Sequence, residues 1–352
     1  MLPAHRLRRV LTVLVAAVCS SAAFCAAQGV TASAGRGAIA LVLPFYEPAF
    51  SPAAEAVRQG VEAANRVDGN RYTIQLWHTN AEPDRILAAY DSAIAAGAQA
   101  VIGPMTREGV TALAAANRGG PPTVALNQSE SGKPLPRGMY AFGLALDAEA
   151  RIVAQTMWRE NLRNVAVVGT TTPLSQRSVT AFADEWLLLG GRFTDVFSVP
   201  PDAELGVLKQ ALVDKPPEAV FLAAEPEAAP SLRPYLGSQM PVWMTSQINT
   251  GGATRLGAID LAGVRFLEMP WLLQPDHPAV AIYPRAPSSG GDLERFYALG
   301  IDAFRIAAAL VEGRVNPEID GVTGRIRVSP GGSVVREPVP ATFRNGVAVP
   351  LK

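Results

Sequence analysis

The sequence predicts an α/β fold of two lobes, each a mainly parallel sheet with helices on both faces. Three observations predict it. Short, nearly all-apolar runs recur along the chain, stretches of helical periodicity separate them, and the alternation runs through twice. The totals agree. A chain of 352 residues with 49% apolar content can bury a sizeable core, and its 18% charged content lies below the roughly 25% usual in soluble domains.

Residues 1–27 have the layout of a cleavable secretory signal, with a basic start at Arg6, Arg8 and Arg9, an apolar stretch Val10 to Val18, and small residues through Ala27. The uncharged run Val10 to Ala27 also reaches the minimum span of a membrane anchor. Its decay into Ser20, Ser21, Ala22 and Ala23 favours cleavage, so a periplasmic location is expected. Both cysteines, Cys19 and Cys25, fall in this segment, which leaves the mature chain without disulfide or thiol chemistry. A lipid-modified cysteine calls for a small residue before it. Val18 and Phe24 stand there instead, which argues against an outer-membrane lipoprotein.

Residues 28–37 form a Gly-, Ala- and Ser-rich flexible leader. The first lobe is expected over residues 38–146, with room for C-terminal elements to return to it. Its strand Ala38 to Leu43 leads to a helix Ser51 to Asn65, with Ser51 as N-cap and Pro52 at N1. Strand Tyr72 to Trp77, helix Glu82 to Ala96 closed by Gly97, strand Ala100 to Gly103, helix Thr106 to Asn117 and strand Thr123 to Leu126 follow, and Met139 to Leu146 ends the series.

The second lobe, residues 147–352, repeats the alternation and adds a C-terminal helix and β-hairpin. Helices are expected at Ala148 to Glu160, Gln176 to Leu189 and Ala203 to Val213, and strands at Val165 to Gly169, Phe193 to Val199, Ala219 to Ala223 and Val242 to Thr245. A helix Phe296 to Leu310 precedes a hairpin of Thr323 to Val328 and Val334 to Arg336 around Pro330, Gly331 and Gly332. Phe296, Leu299, Phe304 and Ile306 form the core stripe of that helix, and Tyr297, Gly300 and Asp302 fall on other faces. Gly300 inside a helix costs about 1 kcal/mol against Ala, which points to close packing there.

Ligands of open parallel sheets sit beyond the carboxyl ends of the strands. That rule selects Phe45, Tyr46, Ser51, Met105, Thr106, Asn127, Gln128 and Ser129 in the first half. In the second it selects Thr170, Thr171, Thr172, Glu225, Ser246 and Gln247. Together they suit a small polar ligand held between closing lobes. The same hydroxyls and amides also serve as helix caps and turn residues in any α/β protein.

Several function classes are excluded. Lys plus Arg equals Asp plus Glu at 31 each, with no long basic run beyond the start, so no nucleic acid is expected as a partner. There is no H-E-x-x-H pair, no G-x-S-x-G elbow and no mature cysteine; His78 and His277 read as surface residues. Asp147, Glu149, Asp184 and Glu185 read as solvated helix faces. The Gly35, Gly37, Ala40 pattern precedes its strand and cannot cradle a pyrophosphate. No catalytic residue, metal site or cofactor is expected, and the chain reads as a binding protein.

The C-terminal third resembles the penicillin-binding protein activator family. The residues that carry this are Gly263 to Phe266 through Met269-Pro270-Trp271-Leu272-Leu273, the run Arg295 to Arg305, and Gly321-Val322-Thr323-Gly324-Arg325-Ile326; Gly103-Pro104 with Val110 to Leu113 fits in the first lobe. The resemblance implies a type I periplasmic-binding-protein-like fold, the class that includes branched-chain amino-acid receptors. It further implies an accessory regulator of peptidoglycan synthesis that contacts a bifunctional penicillin-binding protein. The chain has no room for the N-terminal helical repeats of long members, and it departs from them in its lipobox. The alternative is a solute receptor for an ABC permease, binding an amino acid or similar small polar ligand. By resemblance to such receptors, Thr106 and Ser129 would then hold a carboxylate and Glu225 an ammonium. Trp271 suits either the core or the cleft.

Overall fold

The computed structural model describes residues 37–251, 260–285, 290–329 and 331–351. The expected signal, all of the leader but Gly37, and Pro330 of the hairpin turn lie outside the described residues.

In the first lobe, β1 (Gly37–Leu43), α1 (Ser51–Val67), β2 (Tyr72–His78), α2 (Pro83–Ala95), β3 (Ala98–Ile102), α3 (Arg107–Ala116), β4 (Thr123–Ala125) and β5 (Met139–Ala141) build a five-stranded parallel sheet of order β2-β1-β3-β4-β5. Central β1 is buried from Ile39 to Leu43, whereas edge strand β2 is more exposed. The position flanking α1 is Phe50, with no side-chain cap, so Ser51 is the first helical residue and not the N-cap.

In the second lobe, α4 (Leu146–Arg159), β6 (Asn164–Thr170), α5 (Pro173–Leu188), β7 (Arg192–Val199), α6 (Leu205–Asp214), β8 (Ala219–Ala223), α7 (Ala229–Leu232), β9 (Val242–Trp243) and β10 (Arg265–Glu268) follow. Five of these strands are parallel. Two antiparallel C-terminal strands, β14 (Val339–Arg344) and β15 (Val347–Pro350), complete a seven-stranded sheet of order β15-β14-β10-β9-β8-β6-β7. Each sheet carries a separate apolar cluster on either face.

Between β10 and β14 the chain returns to the first lobe. It forms α8 (Pro270–Leu273), α9 (Pro278–Ala281), α10 (Gly291–Val311) and a small antiparallel sheet of β11 (Glu318–Asp320), β12 (Arg325–Val328) and β13 (Val334–Glu337). Trp271, Tyr297, Phe304 and Ile326 all belong to the same core as Ile39 and Val57. The C-terminal helix therefore packs on the first sheet. The expected hairpin is β12 and β13, but it does not close the chain. A second hairpin follows, turned by Asn345 and Gly346 with φ of 52° and 72°, the left-handed pair that a tight hairpin requires.

Helix α10 is buried almost all round, because α1 covers one side and strands β3 and β4 of the first sheet another. Tyr297 and Asp302 are thus core residues, and Phe296, expected in the stripe, is only half-buried. Gly300 is where two backbones meet. A Cβ there would lie 2.2 Å from the carbonyl oxygen of Val57, and one on Gly60 would lie 2.0 Å from that of Tyr297. Asp302 organises the Gly321–Gly324 loop, its carboxylate accepting from the Val322 N–H at 3.2 Å, the Thr323 N–H at 2.8 Å and the Thr323 hydroxyl at 2.7 Å. Burial pushes the Asp302 carboxyl up in pKa against these bonds and Arg305.

Candidate ligand site at the lobe crossings

The strand-end residues chosen from sequence are found largely in local contacts. Phe45 and Tyr46 pack against His78, with ring centroids 4.6 and 5.4 Å away. Ser51 is half-buried at the start of α1, and Met105 is buried in the first core. Thr106 caps α3 by accepting from the Gly109 N–H at 3.1 Å. Asn127 donates to the Met105 carbonyl at 3.1 Å, and its Oδ1 accepts from the Gln128 N–H. The Ser129 hydroxyl meets that of Ser131 at 2.9 Å.

The same holds across the cleft. Thr172 caps α5, and Glu225 accepts from both the Thr170 and Thr172 hydroxyls. Burial works against ionisation of Glu225, but those bonds hold its pKa below the usual carboxylate value. Thr171 is exposed. Arg107 of α3 joins the lobes by pairing with Asp147 of α4 at 2.6 Å.

Ser246 and Gln247 alone of the predicted set line a cavity of about 330 Å³ where the chain passes between lobes. Leu144, Leu146 and Glu149 come from the passage after β5 and the first turn of α4; Leu267, Glu268 and Met269 from the end of β10; Arg336 from the end of β13 and Pro338 from its link to β14. Leu174 and Phe296 extend a mainly apolar wall.

The charged groups here were not legible as a site. Glu149 is buried, contrary to its reading as a solvated helix face, and accepts from both the N–H and the hydroxyl of Ser246. Burial raises its pKa, opposed by Arg336 and the bonds from Ser246. Glu268 and Arg295 form a buried pair. Arg295 also donates to the Asn249 carbonyl at 2.8 Å, the Ser246 carbonyl at 3.0 Å and Asp292 at 2.9 Å. The available signal was a charged residue inside an apolar run, as at Glu268 in Phe266-Leu267-Glu268-Met269.

Arg336 differs from the rest. Its half-buried side chain faces the cavity, and among the described residues its guanidinium makes no hydrogen bond or ion pair. Burial lowers its pKa, while the charges of Glu149 and Glu268 raise it. No group of His, Cys, Asp and Glu side chains fit to hold a metal occurs among the described residues. Trp271, which suited core or cleft, is fully buried, and its indole donates to Glu294 at 3.1 Å.

Two α/β lobes joined by three chain passages over a cavity define a protein of the type I periplasmic-binding-protein-like class. The chain belongs to the LppC family, described as "LppC putative lipoprotein", which it matches over residues 32–205 and 204–346. It is 26% identical over 321 residues to the penicillin-binding protein activator LpoA of Glaesserella parasuis serovar 5 (strain SH0165), covering 88% of this chain and 54% of that protein. The LpoA of Haemophilus influenzae (strain ATCC 51907 / DSM 11121 / KW20 / Rd) is also 26% identical, over 73% of this chain and 46% of its own length. The chain thus spans about half the length of these activators.

Among solved structures, a "putative branched-chain amino acid ABC transporter" from Chromobacterium violaceum ATCC 12472 is 36% identical, with a TM-score of 0.74 over 87% of this chain and 100% of that one. The LpoA C-domain from Haemophilus influenzae, a regulator of PBP1A, superposes with a TM-score of 0.74 over 90% of this chain and 100% of that one. At 21% identity it shows the fold alone. No described helix is long and apolar enough to cross a membrane.

Proposed function

We propose that this chain is a non-enzymatic regulator of peptidoglycan synthesis that works in the periplasm by contact with a bifunctional penicillin-binding protein. The observation that carries this reading is the sequence match to penicillin-binding protein activators along 88% of the chain. The signal-like layout of residues 1–27, with a basic start, an apolar stretch and small residues, supports the compartment.

The test is a pull-down from cell envelope with the mature chain as bait, followed by assay of glycan polymerisation by the captured synthase. Enrichment of a bifunctional synthase and a faster reaction in the presence of the chain are expected. Enrichment of transport permeases without a synthase overturns the reading.

A second reading, a receptor delivering a small polar ligand to an ABC permease, is favoured by the 36% identical Chromobacterium violaceum protein. It predicts that branched-chain amino acids raise the melting temperature, because a ligand bound only by the native state stabilises it.

A further inference from the structure

Among the charged side chains of the crossing cavity, Arg336 is unlike the others. Glu268 has both carboxylate oxygens engaged, Oε1 by the Met269 N–H and Arg295, and Oε2 by Asn249 and Arg295. Both oxygens of Glu149 are taken by Ser246. Arg295 spends its donors on Glu268, Asp292 and two backbone carbonyls. A guanidinium stays charged at any physiological pH, and its planar fork of donors fits a carboxylate in two parallel bonds. Arg336 feels the charges of Glu149 and Glu268 but makes no hydrogen bond to either, so beside this apolar wall its fork of donors is left to meet an anion.

We propose that the crossing cavity binds a small monoanion with an apolar body, its anionic group on the Arg336 guanidinium and its body against Leu144, Leu174, Leu267 and Phe296. The volume of about 330 Å³ suits a compact ligand. The engaged carboxylates decide the charge. Each oxygen of Glu268 already accepts two bonds and each oxygen of Glu149 one, so an ammonium would have to share Glu149 with Ser246, which disfavours a zwitterionic amino acid. Together with Asp292 at the rim the two carboxylates also repel a second negative charge, which disfavours phosphate. Because all three passages between the lobes line this cavity, an occupant touches each of them and restricts the angle between lobes. The proposal goes beyond the regulatory reading and does not depend on it.

The test uses the full chain with phenylacetate and 4-methylpentanoate as probes, their primary amides as uncharged counterparts, and L-leucine as the zwitterion. Calorimetric titration and thermal melts are expected to show binding of both acids, at least about tenfold weaker binding of the amides, and a loss of about tenfold or more in acid affinity for Arg336→Met. Arg336→Lys retains binding of the acids. The acid and amide comparison needs no variant, so the proposal stays testable even if Arg336→Met does not fold. Amides that bind as well as acids, acid affinity unchanged in a folded Arg336→Met, L-leucine bound more tightly than both acids, or no binding of either acid would each overturn it.

Discussion

The strand-end loops and the crossing cavity both gather polar side chains and use them in opposite ways. In the loops, Thr106, Thr172, Asn127 and Glu225 bond within a few residues or to one neighbouring loop. In the cavity, Glu149 binds Ser246, Glu268 binds Arg295, and Arg295 reaches Asn249, contacts between segments remote in sequence. Local bonds shape one turn each. Remote bonds fix how the lobes meet, so their removal is felt by the whole molecule.

The largest expected effect is therefore in the cavity. Arg295→Met strips the partner from Glu268, which is 0% exposed in its side chain. Breaking a buried pair from one side costs about 3–5 kcal/mol, to be read from urea unfolding. A loss below about 1 kcal/mol would place this pair with the exposed ion pairs and erase the contrast. Second comes Gly300→Ala. Helix propensity alone favours it by about 1 kcal/mol, yet the new Cβ meets the Val57 carbonyl oxygen at 2.2 Å. Overpacking of about 1–3 kcal/mol outweighs the gain, so the variant is expected to melt lower, and a higher melting temperature would show that α1 and α10 separate freely.

Glu149 gives the comparison a pH axis. Burial first, against the bonds from Ser246, raises its folded pKa above the unfolded value. Between those two values the folded state holds more protons than the unfolded one, so stability falls as pH rises through that window. Its contribution is fully present below the unfolded pKa, near 4.3. Glu149→Gln is expected to flatten this slope in denaturation series from pH 4 upward, and an unchanged slope would assign it to other groups such as Asp302, which shifts in the same direction.

These contrasts explain what was legible beforehand. The two lobes were, because buried parallel strands such as Val165 to Gly169 declare themselves as apolar runs. Close packing at Gly300 was readable from a glycine in a helix that had no local need of one. Strand β10 was missed because its four residues, Arg265 to Glu268, begin and end with charge, and β14 and β15 because the Asn345-Gly346 turn was overlooked. At the site, Ser246 and Gln247 followed from the strand-end rule. Arg336 and Glu149 did not, because the cavity is made by three passages whose proximity depends on the return of residues 269–337 to the first lobe. Nothing local in Val334-Val335-Arg336-Glu337 marks its arginine as unpaired.

The smallest effects belong to the loops, and they set the baseline. Thr106 caps α3 through the Gly109 N–H, so Thr106→Ala is expected to cost about 1 kcal/mol. Thr171, exposed between two bonded threonines, should change stability by less than about 0.5 kcal/mol as Thr171→Ala. Equal losses for the pair would mean that the 170–172 loop acts as a unit with Glu225. Losses in the expected ratio, with neither variant altering the acid affinity of the cavity, would confine the loops to local shape and leave ligand chemistry to the crossings.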